Sequence, residues 1–477
     1  MLRLIMPSIL FVLAFTNAAQ AALIIVNTLD FELNNDGDCS LREAIQAANT
    51  NVAVDACPAG HAMIPDAIYL AVSGSILVNA TMTVTQALTI SGNGTYALTL
   101  HASASSPVFL VDMANPGHDA LFTGFTIGNA ANHTGNGSAI QINQVDRLTV
   151  SQMRFVNNRQ SAIAYIEDIS PGTTVNKVSV LDSEFELNTA ANWGGGAMTL
   201  RGVGEVIVER SRFINNRSDF PSAFGDGGAI NLARIQSTSI TDSFFLENVV
   251  LRRGGAISIL GDAAASVSVL RSTFSNNEAM EGLGGAVNIG RSMTARFVNT
   301  TFHDNGNSIY VALGSSAQIT HSTFHHTRSG YGHLAVGGTV EIGRSALYGP
   351  SSIGGLCTRL STSAIVSSGG YNRFHTGDDS CEPSDTDLPL DDPRLLPLGN
   401  YGGHVPTLLP RIDSPLIDDA DVVCHDELGN PVTDDARMSL RPVAASGSIA
   451  RCDVGAVEWN PDIDDYLFRN GFNHPSP

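Results

Sequence analysis

Lysine is almost missing from this chain. Among 477 residues there is one, Lys177, and 46 Asp and Glu outweigh 26 Lys and Arg to leave a net charge of −20. Such a balance, with no polybasic patch, argues against nucleic acid and against anionic membrane surfaces as partners. Aromatic residues make up 6% of the chain, and tryptophan occurs twice. Beyond the N-terminus no apolar run approaches the ~18 residues that a membrane helix needs. The cysteines number six and none has C-x-x-C spacing, so zinc and dithiol redox motifs find no support. No G-x-S-x-G nucleophile elbow and no H-E-x-x-H occurs. Helical periodicity is nearly absent as well, which leaves short strands as the main element.

What is present begins with an export signal. Arg3 precedes an apolar stretch from Leu4 to Phe15, and Ala19-Gln20-Ala21 is a small-x-small cleavage site. Residues 1–21 therefore read as a secretory leader, with Ala22 as the first mature residue. Export fits the cysteines, which fall as Cys39/Cys57, Cys357/Cys381 and Cys424/Cys452. An even count in an exported chain suggests disulfides, and three local bridges are the expectation, although spacing does not fix connectivity.

The middle of the chain repeats. Gly-Gly-Ala followed by an alternating apolar strand occurs at Gly194–Leu200, Gly227–Leu232, Gly254–Leu260 and Gly284–Ile289. Phe-x-x-Asn runs in step, at Phe155/Asn158, Phe185/Asn188, Phe213/Asn216, Phe245/Asn248, Phe274/Asn277 and Phe302/Asn305. Successive Phe positions are 30, 28, 32, 29 and 28 residues apart. A fixed period of that size marks a repeat architecture. With about three short strands per period it suits an all-β, right-handed parallel β-helix. A β-sandwich is the runner-up, but it needs hairpin signals every 8–12 residues, and Asn-Gly or Asp-Gly turns are few. In the coil the Phe positions form an internal column, and Asn158, Asn188, Asn216, Asn248, Asn277 and Asn305 form an amide ladder at a turn.

The flanks differ from the repeats. Residues 22–75 read as an N-terminal cap, with a strand at 22–29 and a short amphipathic helix at 40–49. Ser40 and Glu43 have capping-box spacing. Repeats fill 76–350. From 351 to 459 the composition shifts to Pro, Asp and Leu in a loop-rich module, and 460–477 reads as a polar tail.

Three segments resemble known families. Cys39–Ile45 (CSLREAI) with Asn49 resembles the CSLREA domain of exported bacterial proteins. The Gly-Gly-Ala-Ile and Phe-x-x-Asn phrases resemble the repeats of polymorphic outer membrane proteins. Leu398–Glu458 is similar to a choice-of-anchor Q domain, through Asn400, Gly402-Gly403, Thr407, Ser414-Pro415, Ile417-Asp418 and Cys452–Ala456. Asp435-Ala436-Arg437-Met438 replaces that domain's usual Asp-Gln-Arg-Gly, no membrane barrel follows residue 350, and no hydrophobic sorting tail is present. The segment Tyr466–Phe472 is similar to short C-terminal tags of some Gram-negative secreted proteins. The resemblances imply a β-helical, exported protein of a Gram-negative bacterium and say little about activity.

Three residues before each Phe stand Gln152, Asp182, Arg210, Asp242, Arg271, Asn299 and His321, an alternating charged column that strand alternation would turn outward. It reads as a ladder of opposite charges or as a glycan-binding or catalytic strip; the ladder is the expectation. The insertions between Phe-x-x-Asn and Gly-Gly-Ala vary most, and they carry Trp193, Arg217, Phe220, Phe224, Arg252 and Arg253. Insertions in a solenoid collect on one face, often the binding face, so these six residues form the candidate ligand face. Glu32-x-Asn34-x-Asp36-Gly37 with Glu43 matches part of a calcium loop; Glu43 is already accounted for as a helix cap, and otherwise no cofactor is expected. The adjacent pairs Asp378-Asp379, Asp391-Asp392, Asp418-Asp419 and Asp434-Asp435 read as solvated turns, and His325-His326 is the densest histidine patch. No residue is assigned a catalytic role. The expected protein is a monomer, secreted or in the outer envelope, that binds or displays, with glycans or cell-surface components as partners. A polysaccharide lyase or glycoside hydrolase on the same coil is the alternative.

Overall fold

The computed structural model describes residues 21–464, except 104, 115–116, 133–136, 168–174, 192–193, 220–225, 262–264, 329–331, 350–354 and 446–448. The chain winds into a right-handed parallel β-helix. Each turn adds one strand to each of three parallel sheets. The first sheet has 13 strands, from Leu23–Val26 to Ile365–Gly370. The second has 11, from Met82–Val84 to Cys357–Arg359, and the third has 13, from Gly74–Val78 to Leu388–Leu390. A further ladder of four two-residue strands, from Thr189–Ala190 to Glu278–Ala279, follows the Asn positions. Coil strands thus run past residue 350, and the strand Leu23–Val26 already belongs to the coil.

Phe and Asn stack in separate columns. Phe155, Phe185, Phe213, Phe245, Phe274, Phe302 and Phe324 lie with ring centroids 4.6–5.2 Å apart and planes within 13° of parallel. That spacing is set by the distance between stacked strands. Each Asn of the ladder is fully buried. Its Oδ1 accepts both the backbone and the side-chain N–H of the Asn one turn earlier, as in the 3.0–3.1 Å bonds from Asn188 to Asn216 and from Asn216 to Asn248. Its Nδ2 also donates to the carbonyl of the preceding turn's Phe, as from Asn248 to Phe213 at 2.8 Å. The amides thus satisfy a bend whose backbone groups would otherwise be buried and unpaired.

Two corners turn on single left-handed residues. Gln152, Asp182, Arg210, Asp242, Arg271, Asn299 and His321 have φ between 44° and 52°. The charged column therefore points outward because it occupies a corner, and not through strand alternation. From Asp182 onward the next residue is a buried Ser or Thr whose hydroxyl donates to the carbonyl two residues back, as from Ser183 to Leu181 at 2.7 Å. The same hydroxyl accepts an N–H from the turn before, as Ser211 does from Ser183 at 3.2 Å. At the third corner glycine is required for space: a Cβ on Gly255 would lie 1.9 Å from the carbonyl oxygen of Gly285.

The helix Leu41–Thr50 covers the N-terminal end of the coil. Ser40 and Glu43 form a reciprocal capping box, and Leu41, Ala44, Ile45 and Ala48 are buried. Cys39 is bonded to Cys57, Cys357 to Cys381 and Cys424 to Cys452. Among the described residues no helix is long and apolar enough to cross a membrane.

Candidate functional site

The charged column serves two purposes along its length. In the lower turns it is a ladder. Arg210 donates to both carboxylate oxygens of Asp182, at 2.7 and 3.0 Å, and also meets Glu209. Beside it Arg154 donates to Glu184 at 2.9 Å and to Glu186. The hydrogen bond from Asp182 raises the Arg210 pKa. Burial works against the charge on Arg154, but Glu184 and Glu186 outweigh it and its pKa also rises. Tyr96, Arg154, Asp182, Glu184, Arg210 and Arg212 line an open depression of about 160 Å³ here. Tyr96 is 80% exposed, with the Arg154 guanidinium 5.7 Å from its ring centre.

From Arg271 upward the column is covered by the C-terminal segment of the same chain. Arg271 holds Asp242 at 2.8 and 3.1 Å and turns its third nitrogen to Asp434 at 3.2 Å. Asn299 donates to the Asp434 carbonyl at 2.8 Å and accepts from Arg441 at 3.1 Å. His321 is fully buried there. One turn further, Arg344 donates to Asp421 at 2.7 Å, and its carbonyl accepts the Gly455 N–H at 2.9 Å. Coil residues Val298 and Ala346 pack with Leu416, Val432 and Val454. Glu427 fills the space left by two missing side chains, since a Cβ on Gly343 or Gly369 would lie 1.9 or 2.3 Å from its carboxylate.

This arrangement corrects the reading of the acidic pairs. Asp434 meets Arg271, Asp419 meets Arg373, and Asp435 is fully buried against Arg437. They are not solvated turns, because the segment that carries them is pressed onto the arginines of the coil. Only Asp391-Asp392 is open on both residues. Inside the segment Arg441 bonds Glu458 at 3.1 Å, with both side chains fully buried. Burial and the neighbouring Glu458 push the Asp453 carboxyl well above its ordinary range.

On the insertion face, Arg217 is exposed and ion-paired with Asp219. Arg252 and Arg253 flank Asp226, whose carboxyl is raised by burial and partly lowered by the two arginines. The Arg253 guanidinium stands 5.6 Å from the centre of the Tyr310 ring. Trp193, Phe220 and Phe224 lie outside the described residues. Beside the insertions a polar column of Thr199, Asn231, Ser258 and Asn288 is buried although it points away from the core. Sequence reading missed Asp226, Tyr310, Tyr96 and Arg154. Asp226 stands directly before a Gly-Gly-Ala phrase, and Tyr310 continues the register of Asn288, so both positions follow from the repeat once its columns are aligned.

In the N-terminal unit the acidic side chains are taken by backbone donors. Glu43 accepts from Asn34 and Ser40, each at 3.0 Å, and Asp55 accepts from Asp36 and Gly37 at 3.0 and 2.8 Å. Among the described residues no three His, Cys, Asp or Glu are grouped to hold a metal ion.

No protein-family model matches the chain, and no curated protein matches it in sequence.

Proposed function

We propose that the mature chain is an exported or envelope-associated binding or display protein whose coil presents a ligand face without catalysis. The observation that carries this reading is the distribution of charge. The open carboxylates Asp182, Glu184 and Glu186 are each held by an arginine of a neighbouring turn, and the upper arginines are occupied by the chain's own C-terminal segment. Glycoside hydrolysis needs two carboxyls facing one substrate, one of them kept protonated. The carboxyl driven furthest up, Asp453, is fully buried in the seam between coil and segment, where no sugar reaches it.

The leader, the resemblances at Cys39–Ile45, in the repeats and at Leu398–Glu458, and the three disulfides support export. The ligand face is placed on the insertions, with Trp193, Arg217, Phe220, Phe224, Arg252 and Arg253. Arginines beside aromatic rings suit a sugar with a carboxylate or sulfate. A glycan array probed with the mature chain tests the reading. The expected result is binding to acidic glycans that Trp193→Ala abolishes and Asp182→Asn leaves intact. Cleavage of any arrayed polysaccharide, or loss of binding in Asp182→Asn alone, would move the function to the lower groove and restore the enzyme alternative.

A further inference from the structure

The third sheet carries a histidine column outside the coil, one residue after each Phe. In register, turn by turn, it reads Ser275, His303, His325, Tyr348. His303 and His325 are cross-strand neighbours whose rings lie 5.3 Å apart and 23° from parallel. Their Nδ1 atoms face each other at 3.3 Å. On the far side of the first ring, Nε2 of His303 lies 3.4 Å from the Asp304 carboxylate. The His326 ring, exposed at the adjoining corner, stands 4.0 Å from that of His325.

Each of these facts suits a metal ligand pair. Two nitrogens bound at about 2.0–2.1 Å to a tetrahedral ion stand roughly 3.3–3.4 Å apart, and about 2.8–3.0 Å apart around a square or octahedral one. Asp304 on Nε2 fixes the tautomer of His303, as second-shell carboxylates do at histidine sites, and leaves its Nδ1 lone pair to accept a hydrogen bond from His325 or, once His325 gives up its Nδ1 proton, to ligate beside it. Stacked strands hold both rings on a rigid surface, so little freedom is lost on binding. We propose that His303 and His325 form a surface site for a tetrahedral divalent transition-metal ion, zinc by preference, with Asp304 as the orienting carboxylate. His326 is the nearest further donor, and water completes the set. The site lies on the third sheet, outside the insertion face and the charged corner, and does not depend on the function assigned above.

The test is calorimetric titration of the untagged mature chain with zinc chloride at neutral pH, followed by cobalt(II) absorption as a report of geometry. One ion per chain is expected, with the intense visible bands of tetrahedral cobalt. His303→Ser and His325→Ser each place in the column a residue it already carries lower down, at Ser275, so the coil should be retained; circular dichroism checks this. Each should weaken zinc at least about tenfold, and Asp304→Asn about tenfold through loss of orientation. His375→Ser, one turn beyond Tyr348, should leave affinity unchanged. No zinc uptake at millimolar concentration, or equal affinity in both folded serine variants, would overturn the site. Uptake of copper but not zinc would overturn the tetrahedral assignment.

Discussion

Asn248→Ala should destabilise the coil far more than loss of any exposed charge pair. The Asn248 amide donates to the Phe213 carbonyl at 2.8 Å and to Asn277 Oδ1 at 2.9 Å. Its Oδ1 accepts the Asn216 backbone N–H at 3.0 Å and the Asn216 side-chain N–H at 3.1 Å. Truncation therefore takes the acceptor from the buried Asn216 backbone N–H and the donor from the buried Phe213 carbonyl, both in the preceding turn. Leaving a buried polar group unpaired costs about 1–3 kcal/mol, so the two together amount to about 2–6 kcal/mol. The comparison is Arg210→Ala, which removes an exposed ion pair worth no more than about 1 kcal/mol.

Urea unfolding followed by circular dichroism measures the difference. A solenoid can also open locally, so hydrogen exchange by mass spectrometry over residues 213–248 is the second readout. Fast exchange confined to those turns is expected in Asn248→Ala. Asn248→Asp should be worse at neutral pH, because a carboxylate cannot donate and would face the Phe213 carbonyl and Asn277 Oδ1. Burial would raise the pKa of that new carboxyl, so its damage should shrink as the pH falls. A variant within about 0.5 kcal/mol of wild type, with unaltered exchange, would refute the claim that the ladder satisfies the bend.

Other consequences can be measured separately. Gly255→Ala should block folding or cost several kcal/mol, because its Cβ would sit 1.9 Å from a backbone oxygen; Gly306→Ala, whose nearest neighbours are 3.7 Å away, should be tolerated in the same urea assay. Arg344→Ala, which strands Asp421 and Glu427 in the seam, should expose residues 391–464 to limited proteolysis while the coil persists. His321 is buried between Arg441 and Arg344, and burial first and the arginines second hold its pKa well below 6.5. The unfolded chain then binds that proton more tightly, so stability is lost as the pH falls below about 6.5, and His321→Leu should flatten this limb of a stability–pH curve. Asp453 and Glu458, with raised pKa values, act in the opposite sense but are common to both proteins and cancel in the difference. Mass spectrometry of the unreduced digest should find the peptides of Cys39 and Cys57, Cys357 and Cys381, and Cys424 and Cys452 linked.

The coil was legible because a solenoid copies one spatial relation at a constant sequence interval. Phe245 and Asn248 keep their offset in every turn, so the stack and the ladder can be read from spacing alone. The corners were harder to read. A left-handed Asp182 or Arg210 looks like any exposed strand residue, since its φ is set by the bend and by the buried Ser after it. In the column itself the cover shows only as the alternating Asp182, Arg210, Asp242 and Arg271 giving way to Asn299 and His321. It was written in neighbouring registers. Glu209 and Thr241 give way to Leu270 and Val298 in the first sheet. Arg154, Glu184 and Arg212 give way to Thr273, Thr301, Thr323 and Ala346 in the third. An outward position that turns small and apolar over several turns signals that something packs there.

The same comparison gives the acidic balance a meaning beyond solubility. Asp419, Asp421, Asp426, Glu427 and Asp434 of the C-terminal segment meet Arg271, Arg296, Arg344 and Arg373 of the coil. Part of the net negative charge is therefore matched within the chain, at one seam. Pairs of this kind add little to stability over an apolar contact of equal size, but losing one partner is expensive. Their value is in register. Every turn of a solenoid offers a similar surface, and an apolar segment could slide along it by one repeat. A slide of one turn toward the N-terminus would bring Asp434, now against Arg271, beside Asp242, and like charges would oppose it. Alternating charges at the corner thus select one docking position on a scaffold that would otherwise offer several. Replacing Asp242 with Arg should remove that selection; hydrogen exchange in the coil turn of Thr241 and Asp242 should then slow as the displaced segment covers it, and unchanged exchange there would refute the register argument.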